Sequence, residues 1–199
     1  MTKGKLDRDD LHQVWAPDRA TWRAWLAEHH QTQTGVWLHM HKKASGRASI
    51  NWDAAVDEAL CFGWIDSIVR RIDDATHKQY FSPRKPNGNW SKVNKDKIER
   101  LIGEGRMMPA GLAAIKRAKA NGSWETLDKV EAMEMPADLL AALDDHPGAR
   151  EYVESRSKTN RWVMLYWING AKRDATRADR IRQIAEAAAE GKRPPRFSP

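Results

Sequence analysis

Strand patterning in this sequence is confined to residues 36–82, and that restriction sets what the chain can fold into. "VWLHMHKK" alternates Val36, Leu38 and Met40 on one face with Trp37, His39 and His41 on the other, the period-two signature of a strand. Trp64–Arg71 and His77–Ser82 read as two more strands joined by the turn "DDAT". Helical spacing surrounds them. Asp18 caps a first helix whose Trp22, Trp25 and Leu26 form a stripe, and Asn51 caps a second that places Trp52, Val56, Ala59 and Leu60 on one face. Gly63 ends that helix. Lys95–Gly103 is helical behind Asn94, and Pro109 opens Pro109–Asn121, which Gly122 stops. Past a linker at Ser123–Met135 the pattern predicts only helices: Ala137–Leu143, Gly148–Glu154, Asn160–Asn169 and Asp174–Glu190. Asn160–Asn169 is apolar nearly all round, which predicts a buried helix.

The expected fold is therefore α+β, a small antiparallel sheet with helices on one face in the N-terminal half and an all-helical C-terminal half packed on it. The expected domains are 1–122, α+β, and 123–199, helical and ending in a basic, flexible tail. Apolar residues at 41% and charged residues at 31% place the chain among globular proteins. The longest apolar runs, seven residues each, are too short to span a bilayer. "MTKGKLDRDD" lacks the apolar stretch of a secretory signal, and one cysteine excludes an intrachain disulfide, so a cytoplasmic location is expected.

Charge is segregated along the chain. Residues 78–119 carry eleven Lys and Arg against three Asp and Glu, residues 120–155 two against nine, and residues 156–199 eleven against four. The alternation suggests two basic surfaces and an acidic segment that makes an internal contact. Weak, non-specific nucleic-acid binding is a minor reading, since no recognition motif accompanies the charge.

Three constellations bear on chemistry. Asp66 lies on a strand whose two faces are both largely apolar, Trp64, Asp66, Ile68 and Arg70 against Ile65, Ser67 and Val69. A buried carboxylate must be paired or protonated. Arg177 falls inside the apolar stripe of Ile181, Ile184 and Ala188, so an Asp66–Arg177 ion pair is expected, with Glu58 the other candidate acid. The loop 82–94 gathers Arg84, Lys85 and Lys92 as cations, Trp90 as a stacking plate and a helix start near Asn94, features suited to an anionic ligand beside Asp66. Cys61 has no local base and reads as a buried, inert thiol. His39 and His41 share a strand face, but no carboxylate or cysteine completes a metal site, so neither metal nor cofactor is expected. Most of the ten tryptophans sit on core faces.

The blocks "INWDAAVDEALCFGWIDS", "YFSPRK", "NWSKVNKDKIERLIGEGRM", "AKANGSW" and "YWINGAKRDATRADRI", in that order, resemble the bacteriocin-protection YdeI/OmpD-associated family over roughly residues 15–193. The resemblance implies a part in tolerance to bacteriocins or antimicrobial peptides and carries no catalytic residues. The leading expectation is a non-enzymatic binding protein for an anionic ligand or a protein partner. The alternative is an enzyme or nucleotide-binding protein with its cleft near Asp66, Arg84 and Trp90.

Overall fold

The computed structural model describes residues 12–194. Contacts gather them into two units, 12–88 with 93–124 and 89–92 with 125–194. The expectations for MTKGKLDRDD and for the end of the tail, 195–199, lie outside the described residues.

The first unit contains β1 (Gln13–Trp15), α1 (Arg19–His29), β2 (Val36–His41), α2 (Trp52–Cys61), β3 (Trp64–Arg71), β4 (Thr76–Pro83), α3 (Lys92–Gly103, from Val93 onward) and α4 (Pro109–Ala120). The fold is α+β. Among the described residues one four-stranded sheet runs in the order β1-β2-β4-β3. β2, β4 and β3 are antiparallel, as the alternation predicts, whereas β1 lies parallel to β2 and makes the sheet mixed. Three residues, QVW, are too few to show alternation, so β1 left no pattern to read.

Both expected caps form: Asp18 Oδ1 accepts from the Thr21 amide and Asn51 Oδ1 from the Ala54 amide, each at 2.8 Å. Trp22 is fully buried, packs against Phe81 of β4 and donates its indole N–H to the Ala55 carbonyl at 3.0 Å. These contacts place α1 and α2 on the sheet face that carries Phe81. Gly63 closes α2 at φ +75°, and a Cβ there would stand 3.0 Å from the Ala110 carbonyl oxygen.

Two details move side chains from where alternation puts them. Asp66 lies opposite Phe81 but Val69 lies opposite Gln79, so β3 carries one extra residue between them. This bulge reverses the faces downstream. Asp66 keeps the helix-covered side, while Arg70 turns to the opposite side, where its guanidinium lies over the Trp37 ring. Trp52, expected on the buried face of α2, is 48% exposed. As the first residue of that helix it lies at the edge of the core and swings toward β3.

The second unit holds α5 (Asp128–Glu131), inside the expected linker, then α6 (Ala137–Asp144), α7 (Ala149–Glu154), α8 (Lys158–Asn169) and α9 (Asp174–Ala189). Leu139, Leu143, Val153, Met164, Leu165, Ile168, Ile181 and Ile184 are all buried in one cluster. α8 keeps one side at the surface, with Tyr166 exposed, so the expected all-round burial is only partly realised. No helix among the described residues is long and apolar enough to cross a membrane.

Candidate functional site

Asp66 is half-buried, and its partners are neutral. Oδ2 accepts from the Trp52 indole N–H at 2.9 Å and from Gln79 Nε2 at 3.1 Å. The buried Arg84 guanidinium bears on the same carboxylate: desolvation lowers its pKa to about 10, and the charge of Asp66 opposes the fall. Arg177, the expected partner of Asp66, is engaged within its own unit. Arg177 donates to Asp138 through Nε at 2.6 Å and Nη2 at 2.9 Å, the bidentate fork matched to a carboxylate of its own unit. A helical wheel showed that Arg177 needed an acid. It carried no information on which one.

The loop 82–94 is divided. Arg84, Lys85 and Asn94 belong to the first unit, Trp90 and Lys92 to the second, so no one unit holds the six residues expected to share a site. Lys85 and Lys92 are exposed, but Trp90 is buried at 3% and offers no stacking plate. The helix begins at Lys92, not behind Asn94, and the Lys92 amide donates to Glu131 Oε1 at 3.4 Å. The carboxylate drawn to that helix start is the protein's own.

A denser charge cluster surrounds Asp57 and Glu58, which are 1% and 0% exposed on α2. Asp57 meets Lys97 at 2.8 Å, Arg100 at 2.7 Å and Arg19 at 3.4 Å. Glu58 meets Arg23 at 2.7 Å, Arg19 at 3.2 Å and Arg106. Arg100 and Arg106 both also bind Glu104, at 3.0 and 3.1 Å, so Asp57, Arg100, Glu104, Arg106, Glu58 and Arg19 close a ring of alternating charge. Burial raises the Asp57 pKa, but Lys97 and Arg100 outweigh it and hold the carboxyl below its ordinary value. Burial, reinforced by Glu58, pushes the Cys61 thiol upward, the opposite of what a nucleophile needs. On the sheet, His39 Nε2 lies 2.6 Å from Gln13 Oε1, and Trp15 packs over His39 and His41 with ring centroids 4.4 and 5.0 Å away.

Two hollows of the second unit flank the Arg177–Asp138 pair. One, of about 420 Å³, is lined by Val130, Met135, Leu165 and Ile168 with Lys129, Asn169 and Arg177 at its polar side. The other, of about 620 Å³, is an open groove between α6 and α9. Its floor is Ala142, Ala178, Ile181 and Ala185, and its rim carries Asp138, Asp145, His146, Asp174, Arg177 and Arg182. Asp138 neutralises Arg177, and Asp179 and Glu186 neutralise Arg182. Asp145 and Asp174 make no ion pair among the described residues, which leaves the rim net negative.

Residues 14–114, just over half of the 199, match a domain of unknown function (DUF8412), and residues 132–191 match the family described as bacteriocin-protection, YdeI or OmpD-associated. The chain belongs to the DUF8412 family, and its helical segment to the YdeI/OmpD-associated family. No curated protein and no solved structure is a match for it. The YdeI/OmpD-associated match is narrower than the resemblance read from the sequence. "INWDAAVDEALCFGWIDS", "YFSPRK" and "NWSKVNKDKIERLIGEGRM" lie in the DUF8412 part, and "YWINGAKRDATRADRI" in the YdeI/OmpD-associated part.

All residues named for the α6–α9 groove fall inside the YdeI/OmpD-associated segment. Sequence reasoning missed Asp145 and Asp174 as groove residues. A signal existed in the acidic stretch 120–155 preceding the basic stretch 156–199, and Asp138–Arg177 is one contact between them. An apolar floor under a negative rim favours a ligand that is apolar on one side and positive at its edges. Two arginines of α9, in the basic stretch 156–199, are engaged internally. Arg177 holds Asp138, and Arg180 donates to the Trp167 carbonyl and lies over the Trp167 ring.

Proposed function

We propose that this protein is a cytoplasmic binding protein that takes a basic, partly apolar peptide in the α6–α9 groove, and that this capture is its part in tolerance to bacteriocins or antimicrobial peptides. The observation that carries the reading is the groove itself. About 620 Å³ of space lies over Ile181 and Ala185, with two carboxylates, Asp145 and Asp174, that have no ion-pair partner among the described residues. That volume lies within the range of ligand sites, and unpaired rim carboxylates attract Lys and Arg side chains. The YdeI/OmpD-associated match over the same helices supports the biological setting, and the free, buried Cys61 fits a reducing compartment. The expected partner thus changes from an anionic ligand at loop 82–94 to a cationic peptide at the groove.

Isothermal titration with a short Lys/Leu amphipathic peptide, set against its Glu/Leu counterpart, tests the reading. The basic peptide should bind and the acidic one should not. Asp145→Asn combined with Asp174→Asn should weaken binding about fivefold at low ionic strength, since each exposed charge pair contributes up to about 1 kcal/mol. Equal binding of both peptides would remove the electrostatic basis of the proposal.

A further inference from the structure

The corner formed by Trp52, Asp66 and Gln79 is built more carefully than a surface carboxylate requires. Trp52 spends its only polar group on Asp66 Oδ2, yet keeps nearly half of its area in water. Gln79, 4% exposed, donates to the same oxygen and fixes the carboxylate from below. Oδ1 accepts no hydrogen bond among the described residues. The result is an exposed aromatic plate whose edge holds one carboxylate oxygen in place and leaves the other open. The positions are set by packing and by two hydrogen bonds, as a site held ready for its ligand requires.

We propose that Trp52 and Asp66 form a binding site for a neutral ring that lays a flat face on the indole and donates one hydrogen bond to Asp66 Oδ1. Charge decides the class. A simple anion meets the open carboxylate oxygen and is repelled, while a guanidinium or ammonium meets a carboxylate already under the influence of the buried Arg84. A neutral donor avoids both costs. Sugar rings and nucleosides share this chemistry, one through a C–H face and a hydroxyl, the other through a base plane and an N–H. The site lies wholly within the first unit and is independent of the groove on α6 and α9.

The Trp52 indole N–H is the reporter. Its resonance in a ¹H–¹⁵N spectrum is identified by its loss in Trp52→Phe, and the intact protein is titrated with methyl β-glucoside, guanosine, arginine amide and inorganic phosphate. The proposal expects the resonance to move with the glucoside or with guanosine, which also separates the two sources. Asp66→Asn is the decisive variant. Its amide must turn oxygen toward the donors of Trp52 and Gln79, and so presents N–H where the ligand also donates. Affinity should fall about tenfold or more, the effect of leaving a donor facing a donor. If Asp66→Asn does not fold, Gln79→Leu, which removes one tether of the carboxylate without adding a charge, should weaken the response of the same resonance. Movement with arginine amide or phosphate alone, or with none of the four, overturns the proposal, as does full retention of binding in Asp66→Asn.

Discussion

Glu58 has both carboxylate oxygens in use, Oε1 with Arg19 and Arg106 and Oε2 with Arg23, and none of its surface reaches water. Removing its charge leaves three guanidinium groups facing a neutral amide. Glu58→Gln should cost about 3–5 kcal/mol, the range for breaking a buried pair from one side. Urea unfolding measures this, and a loss under about 0.5 kcal/mol, typical of surface changes, would mean the network does little. Cys61, its thiol pushed up by burial and by Glu58, should react slowly with a thiol reagent in the native protein and rapidly in denaturant. The sequence allowed Glu58 to be named as a candidate acid for a buried arginine, with Arg177 the arginine in view. Its partners come from 35, 39 and 48 positions away, and no local pattern encodes such distances. Trp52 illustrates the opposite limit. Its spacing on α2 matched the buried face, but a first-turn position lies beyond the edge of the core, and a hydrogen bond to Asp66 claimed the side chain.

The ring of Asp57, Arg100, Glu104, Arg106, Glu58 and Arg19 ties α1 and α2 to α3 and the turn that follows it. The folded-state pKa of Asp57 is depressed, so its contribution is present above the unfolded carboxylate value and is lost as pH falls through the folded one. Stability followed by urea titration should therefore decline on acidification below the ordinary carboxylate range, and more shallowly in Asp57→Asn, which starts lower. A parallel decline in both proteins would assign the acid sensitivity elsewhere. The approach of α2 to α4 rests on two glycines. Gly63 holds a left-handed backbone, and at Gly111 any Cβ would strike the Cys61 carbonyl. Gly63→Ala should cost about 1–2 kcal/mol from backbone strain, before any contact with Ala110 is counted. At this scale caps and long helices were legible, because Asp18, Asn51, Gly63 and Pro109 are local signals with local causes. β1 and the bulge in β3 were not. One is too short to alternate, and the other is defined only by its register against β4.

Across the whole chain, a net charge of +7 coexists with extensive internal pairing of arginine. Nucleic-acid affinity measured by fluorescence anisotropy should accordingly be weak and should vanish near physiological salt, since binding that rests on phosphate contacts alone falls steeply as salt rises. Tight, sequence-selective binding under those conditions would reverse the ranking of functions. The charge blocks in the sequence foretold that acidic and basic stretches would meet, and Asp138–Arg177 is such a meeting. They could not foretell that α6 and α9 would leave a groove between them, because the space follows from how two helices splay. The central claim is that this groove takes a basic peptide. Backbone ¹H–¹⁵N shifts recorded while a Lys/Leu amphipathic peptide is added to the intact protein test it most directly. The account predicts perturbations centred on Asp145, His146, Asp174, Ala178 and Ile181 that fade as salt is raised. Perturbations centred on other residues, or a spectrum that does not change, would contradict it.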